Sequence, residues 1–240
     1  MSQRRPPPRD GGPDHAALRQ RLDAGLAAMD PSIDALLDAA ARERMIAFLV
    51  LLSRWNLAYN LTAVREPLEM VPRHLLDSLA VLPWITRSPV LDAGTGAGLP
   101  GIPLAIARPE LSFTLLDSNG KKIRFVRQSV LELGLDNVEI VQERLETYRP
   151  PRKFATIVAR AVASLAELRE ASAHLGAPEA RLLAMKGRLP DLEIAGLLRS
   201  SVAGRIPAMA ADISVHPLRV PLLEGERNLI DMPIHATAHG

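Results

Sequence analysis

The 240-residue chain is expected to be an α/β protein, with a mostly parallel sheet, a C-terminal antiparallel hairpin and a small helical N-terminal region. Three observations predict this. Beyond residue 88, short β-prone apolar runs alternate with helical stretches, the pattern of strand–helix–strand units. Residues 15–59 are instead rich in Leu and Ala and carry helix start and stop signals. A glycine-dense turn, 94–101, sits where a strand should hand over to a helix.

The elements follow in order. Residues 1–14 (MSQRRPPPRDGGPD) hold Pro, Gly and Arg with no apolar residue beyond Met1, so they are expected to form a disordered tail. The helical region is expected over 15–87. Within it Asp30-Pro31-Ser32 reads as a stop, an N-cap and a restart, which predicts two helices. The second is apolar on most faces, so it should be clasped between other elements, with Trp55 and Tyr59 serving packing. A third helix is expected from Pro72 to Leu82, because proline is best tolerated in a first turn. The sheet-bearing core is expected over 88–240. Its strands should fall at 89–92, 112–117, 138–142, 155–159 and 181–185, and its helices at 100–107, 120–134, 163–174 and 189–199. Two β-prone halves of 213–232, parted by Glu224-Gly225-Glu226, predict the hairpin.

Composition removes several functions. There is no cysteine, which excludes disulfides, thiolate zinc sites and cysteine nucleophiles. No apolar run approaches the roughly 18 residues of a membrane span, and the first 20 residues hold no signal-peptide-like stretch. A soluble, cytoplasmic protein is expected. Residues 1–21 alone contribute +3 to a net charge of +2, so overall charge argues nothing about nucleic acid. Eight aromatics leave few stacking platforms for bases. The six histidines show no ligand spacing, and no metal site is expected.

The densest chemical signal is Leu91-Asp92-Ala93-Gly94-Thr95-Gly96-Ala97-Gly98-Leu99-Pro100-Gly101. Glycine suits such a turn because backbone must bend sharply and approach a ligand closely. Gly96, Gly98 and Gly101 match the dinucleotide fingerprint, which would set a pyrophosphate on a helix N-terminus. Against that, Pro100 and Pro103 remove N–H donors from the turn, and Asp92 sets a negative charge beside it. S-adenosylmethionine, with an ammonium, a sulfonium and no phosphate, suits those charges better. Asp117, closing the next strand, can accept hydrogen bonds from ribose hydroxyls. A glycine-rich turn holding no ligand is the remaining reading.

The chain resembles the bacterial 16S rRNA guanine-N7 methyltransferases, also called glucose-inhibited division protein B. The likeness is carried by RWNLAYNLT (54–62), RHLLDS (73–78), DAGTGAGLPGIPLAI (92–106), LLDSNGKKIRF (115–125), ARAVASL (159–165), MKG (185–187) and GERNLI (225–230). It implies a Rossmann-like S-adenosylmethionine-dependent methyltransferase fold, with the cofactor at the C-terminal ends of the strands. On matching positions, Gly94 and Leu99 would join Thr95, Gly96 and Gly98 in the loop contacts, Leu145 and Glu146 would flank the adenine, and Arg160 would reach the cofactor. Asn119, Ala159 and Asn228 depart from the family's usual residues, and Pro72 suggests an altered start to its helix.

The same resemblance implies methyl transfer to guanine N7 in 16S rRNA, presented in a small ribosomal subunit or assembly intermediate. Such a reaction needs positioning and no dedicated base. The lack of cysteine excludes pyrimidine methylation through a thiol adduct, and Ala159-Arg160-Ala161-Val162 stands where exocyclic-amine methylases carry an Asn/Asp-Pro-Pro-aromatic turn. A small-molecule methyltransferase and a non-catalytic cofactor-binding assembly protein are the alternatives. Candidate RNA contacts are Lys121 and Arg124, expected to face outward opposite a buried stripe of Ile123, Val126, Val130 and Leu133. Arg73 and His74 join them through the family match, which implies a place near the active-site mouth for both and for Asp77; an Arg73–Asp77 surface pair at helical spacing is the alternative. Lys186 follows the fifth strand, and Arg227 lies in the hairpin.

Overall fold

The computed structural model describes residues 13–160, 164–188, 191–202 and 213–235. Seven strands form one sheet in the order β3-β2-β1-β4-β5-β7-β6. These are β1 (Val90–Ala93), β2 (Phe113–Leu116), β3 (Val138–Val141), β4 (Phe154–Arg160), β5 (Gly176–Lys186), β6 (Ser214–Pro217) and β7 (Asn228–Pro233). β1 through β5 are parallel, while β7 runs antiparallel between β5 and β6. The strand order reverses between β1 and its neighbours β2 and β4, which opens a crevice at their C-terminal ends. The expected strands, helices and hairpin all occur, and β5 begins five residues before the expected 181 because Phe154 pairs with Gly176 across a register shift.

The helices α6 (Gly101–Ala107) and α7 (Gly120–Leu133) follow β1 and β2, and α8 (Leu165–Ser172) and α9 (Asp191–Val202) follow β4 and β5. Leu165, Leu168 and Ile194 pack with one sheet face, beside Leu182 and Ile230. The other face joins α6, α7 and the N-terminal helices in a larger core built on Phe48, Phe113 and Phe125. The tail through residue 12, and the first residues expected of the helices at 163 and 189, lie outside the described residues.

The N-terminal layer corrects two expectations. The Asp30-Pro31-Ser32 signal does start a helix, α2 (Pro31–Asp34), yet it lasts one turn. The long helix α3 (Ala39–Tyr59) begins later, where the Asp38 carboxylate accepts from the Ala41 N–H at 2.7 Å, and α1 (His15–Ala27) precedes both. The next helix starts at Pro67 rather than Pro72, as α4 (Pro67–Met70), and continues through a π-type turn, Val71–Leu76, into α5 (Asp77–Leu79). Pro72 therefore lies inside the helix, in the wider turn that tolerates a missing N–H. Arg42 ties the layer together, bonding Asp23 of α1 at 2.8 Å and Asp34 of α2 at 2.7 Å.

Candidate active site

The glycine loop leaves β1 with three left-handed residues, Gly94 (φ 72°), Gly96 (φ 60°) and Gly98 (φ 80°), which a side chain would strain. Its shape is held from below. Asp92 is fully buried, and its Oδ2 accepts from the Thr95 hydroxyl at 2.6 Å and the Gly101 N–H at 2.8 Å. Asp92 Oδ1 has no hydrogen-bond partner, and burial raises its carboxyl to a pKa of about 6. Asp117 braces the loop from β2, accepting from the Gly96 N–H at 2.9 Å and the Asn119 N–H at 2.8 Å. Gly101 has a packing reason: a Cβ there would lie 2.1 Å from Leu115 Cδ2.

Two cavities meet at this loop. One, of about 230 Å³, is walled by Leu116, Leu145 and Leu168, with Asp117, Ser118 and Glu146 at its polar margin. The other, of about 350 Å³, lies over Gly94, Thr95, Gly96 and Leu99 and is bounded by Thr62, Lys122 and Arg160. Gly94 and Asp117 line both. A third, of about 410 Å³, adjoins the second through Arg160 and is lined by Arg73, His74, Asp77, Lys186, Arg227 and neighbours.

That third cavity is organised by one buried carboxylate. Asp77, with a side chain 7% exposed, accepts from Arg160 Nη1 at 3.2 Å and from Arg227 Nε at 3.1 Å. Arg160 Nη1 also donates to the Arg73 carbonyl at 3.2 Å. The alternative of an Arg73–Asp77 surface pair is not formed: Arg73 sits 3.6 Å from Glu69, while Asp77 turns inward to the sheet. His74 is 5% exposed, with Nδ1 against the Arg73 carbonyl and Nε2 against the Thr62 hydroxyl, both at 2.9 Å. Burial, reinforced by the Arg160 charge, lowers its pKa to about 4, so the ring is neutral and Nε2 accepts. Lys186 approaches Glu193 at 3.1 Å.

The expected residues thus gather at one edge of the sheet, with exceptions. Asp92 lies beneath the loop rather than in a cavity, because it closes an interior β1 position and spends its oxygen on Thr95 and Gly101. His74 is wall rather than outer surface. Lys121 and Arg124 are exposed on α7 as expected, yet Phe125 is buried with the stripe and Val130 only half-buried. Lys122, between Lys121 and Arg124, faces the loop instead. The Asn119 cap, accepting from the Lys121 and Lys122 N–H groups, sets the first turn of α7, and Lys122 lines the loop cavity. The family match implies a place for Asp77 near the mouth, and the apolar run around it, Leu75, Leu76 and Leu79, all buried, accounts for its burial; neither points to Arg160 or Arg227 as its partners.

The donor set fits a zwitterionic nucleoside. Two cations, Lys122 and Arg160, and one carboxylate, Asp117, line the loop cavity, so its charge is mixed, with Asp92 withdrawn beneath the loop. Each Asp117 oxygen retains a lone pair for a ribose hydroxyl, and the leucine-walled cavity offers an apolar slot for a base.

A glycopeptide N-methyltransferase, MtfA, complexed with S-adenosylmethionine shares this fold, with a TM-score of 0.54 at 13% identity over 67% of this chain and 87% of that one. Fold and loop together define a Rossmann-like α/β protein with a glycine turn at the C-terminal ends of its strands. Residues 41–207 match the family model of GidB, rRNA small subunit methyltransferase G. Ribosomal RNA small subunit methyltransferase G of Marinobacter nauticus is 50% identical over 210 residues, 88% of this chain and 92% of that protein. The protein of that name from Legionella pneumophila subsp. pneumophila is 44% identical over 216 residues, 89% and 94% of the two chains. The chain belongs to the GidB family.

Proposed function

We propose that the protein transfers a methyl group from S-adenosylmethionine to N7 of a specific guanine in 16S rRNA, within a small ribosomal subunit or assembly intermediate in the cytoplasm. The observation that carries this reading is the row of three cavities, joined first by Gly94 and Asp117 and then by Arg160. A nucleoside fits the first, a charged amino-acid tail the second, and a flipped-out base the third. No helix among the described residues is long and apolar enough to cross a membrane.

S-adenosylmethionine supplies the methyl group, made electrophilic by its sulfonium. The protein's own residues then position. Asp117 and Leu145 orient the nucleoside, and Lys122 and Arg160 hold the carboxylate end of its tail. Guanine N7 carries an unshared pair, so the N7–methyl bond would form as the methyl–sulfur bond breaks and neutral S-adenosylhomocysteine departs; no proton is lost and no general base is required. Arg160 and Arg227, locked by Asp77, present fixed positive charge to guanine O6. A bidentate grip on O6 and N7 would occupy the reacting atom, so O6 alone is the compatible contact. Exclusion of water by the buried Asp77, His74 and Met185 strengthens each of these contacts.

A labelled methyl-transfer assay against small subunits that lack the modification tests the reading. Label at a single guanine N7 supports it. Label in a metabolite extract instead makes the protein a small-molecule methyltransferase, and cofactor binding without transfer makes it a binding or assembly protein.

A further inference from the structure

Trp55 and Tyr59, expected from the sequence to serve packing together, differ in the structure. Trp55 packs inward, its ring 5.6 Å from that of buried Phe125 and through it against Phe48. Tyr59, one turn on at the end of α3, stacks on Trp55 at 5.2 Å and is 45% exposed. Among the described residues it is the only exposed ring of a Phe, Tyr or Trp, and its hydroxyl makes no hydrogen bond there. A half-bare ring, backed by an indole that a phenylalanine in turn supports, is a rigid flat surface with little side-chain freedom left to lose.

Its position is informative. Asn60 turns the chain out of α3 in a left-handed conformation, and Leu61 and Thr62 immediately line the loop cavity with Lys122 and Arg160. Tyr59 therefore closes the helix just before the segment that walls the cavity proposed to hold the amino-acid tail. The surroundings are cationic. Arg65 donates to Asn60 Oδ1 at 2.8 Å, and Arg54 is exposed on α3. Across the Trp55–Phe125 contact, α7 presents Lys121 and Arg124. Among the described residues none of these four cations enters an ion pair. A flat π face among unpaired cations matches the chemistry of single-stranded nucleic acid, whose bases stack and whose phosphates need neutralising.

We propose that the open face of Tyr59 is a stacking platform for an unpaired base of the substrate RNA, with Arg54, Arg65, Lys121 and Arg124 neutralising the adjoining phosphates. This rests on the reading of rRNA as substrate. It makes α3 part of the substrate surface as well as of the core.

Three variants test it: Tyr59→Ala, Tyr59→Leu, which keeps apolar bulk against Trp55, and Tyr59→Phe, which keeps the ring. Methyl transfer to unmodified small subunits is measured alongside cofactor affinity and melting temperature. The Ala and Leu variants should raise KM for the subunit roughly tenfold or more, with kcat, cofactor affinity and melting temperature unchanged, while Phe behaves as wild type. A Leu variant with wild-type KM overturns the platform, as does a loss that tracks melting temperature across Ala and Leu. If the wild-type protein labels no rRNA, the reading of the substrate fails first and the platform with it. If it labels rRNA and Tyr59→Leu does so equally well, only the platform falls.

Discussion

At the scale of single residues, two buried titratable groups give the protein opposed responses to pH. Asp92 holds its proton to about pH 6 when folded, against an ordinary value of 3.8. Between those values the native state binds more protons than the unfolded one, so stability falls as pH rises through the window, by about 3 kcal/mol in full. His74 stays neutral to about pH 4 when folded, against 6.5. There the unfolded chain binds the extra proton, so stability falls as pH drops from 6.5 toward 4, by a similar ~3 kcal/mol. Urea unfolding across this range should separate them. The stability of Asp92→Asn relative to wild type should climb with pH up to about 6 and then level, whereas that of His74→Gln should climb as pH falls; differences that stay constant with pH would refute both assignments. Gly101→Ala is a steric test. Its Cβ would meet Leu115 Cδ2 at 2.1 Å and Asp92 Oδ2 at 2.6 Å, and the overpacking should cost about 2 kcal/mol in the same unfolding measurement.

At the scale of elements, the helix termini decide where side chains arrive. Asn119 accepts from the Lys121 and Lys122 N–H groups at 3.0 and 3.4 Å and so sets the start of α7. Asn119→Ala should cost about 1 kcal/mol of stability and, by loosening the turn that carries Lys122, raise KM for S-adenosylmethionine several-fold. An unchanged KM would detach Lys122 from the cofactor. The same physics explains what was legible in the sequence. The strands after residue 88 were readable because buried parallel strands are short, apolar and bounded by turn residues, and β1 and β2 are buried at every position. The N-terminal starts were misjudged because proline marks a first turn only when nothing else accommodates it. Pro31 and Pro67 obey that rule, while Pro72 hides in a π-type turn. The glycine loop was legible as a ligand turn, but the direction of Asp92 was not, since alternation along a four-residue strand buried on both faces does not say which side a carboxylate takes.

At the scale of the whole molecule, Asp77 binds three distant parts of the chain: its own helix, the end of β4 through Arg160, and the approach to β7 through Arg227. Such a contact, 83 and 150 residues long in sequence, leaves no local pattern to read, which is why spacing suggested a neighbour four residues away instead. Asp77→Ala should destabilise the protein by about 3 kcal/mol, because two guanidinium groups half-withdrawn from water lose their counter-charge; Asp77→Asn, which keeps an acceptor, should lose less. Equal melting temperatures for wild type and the Ala variant would show the cluster to be energetically idle. The placement of β7 has one more consequence. Because it enters the sheet between β5 and β6, the last strand among the described residues is an interior one, and Arg227 is delivered with it. The glycine loop and its two supporting carboxylates belong to the first strands of the sheet, so a variant unable to seat β7 should keep the cavity proposed for the methyl donor and lose the one proposed for the acceptor.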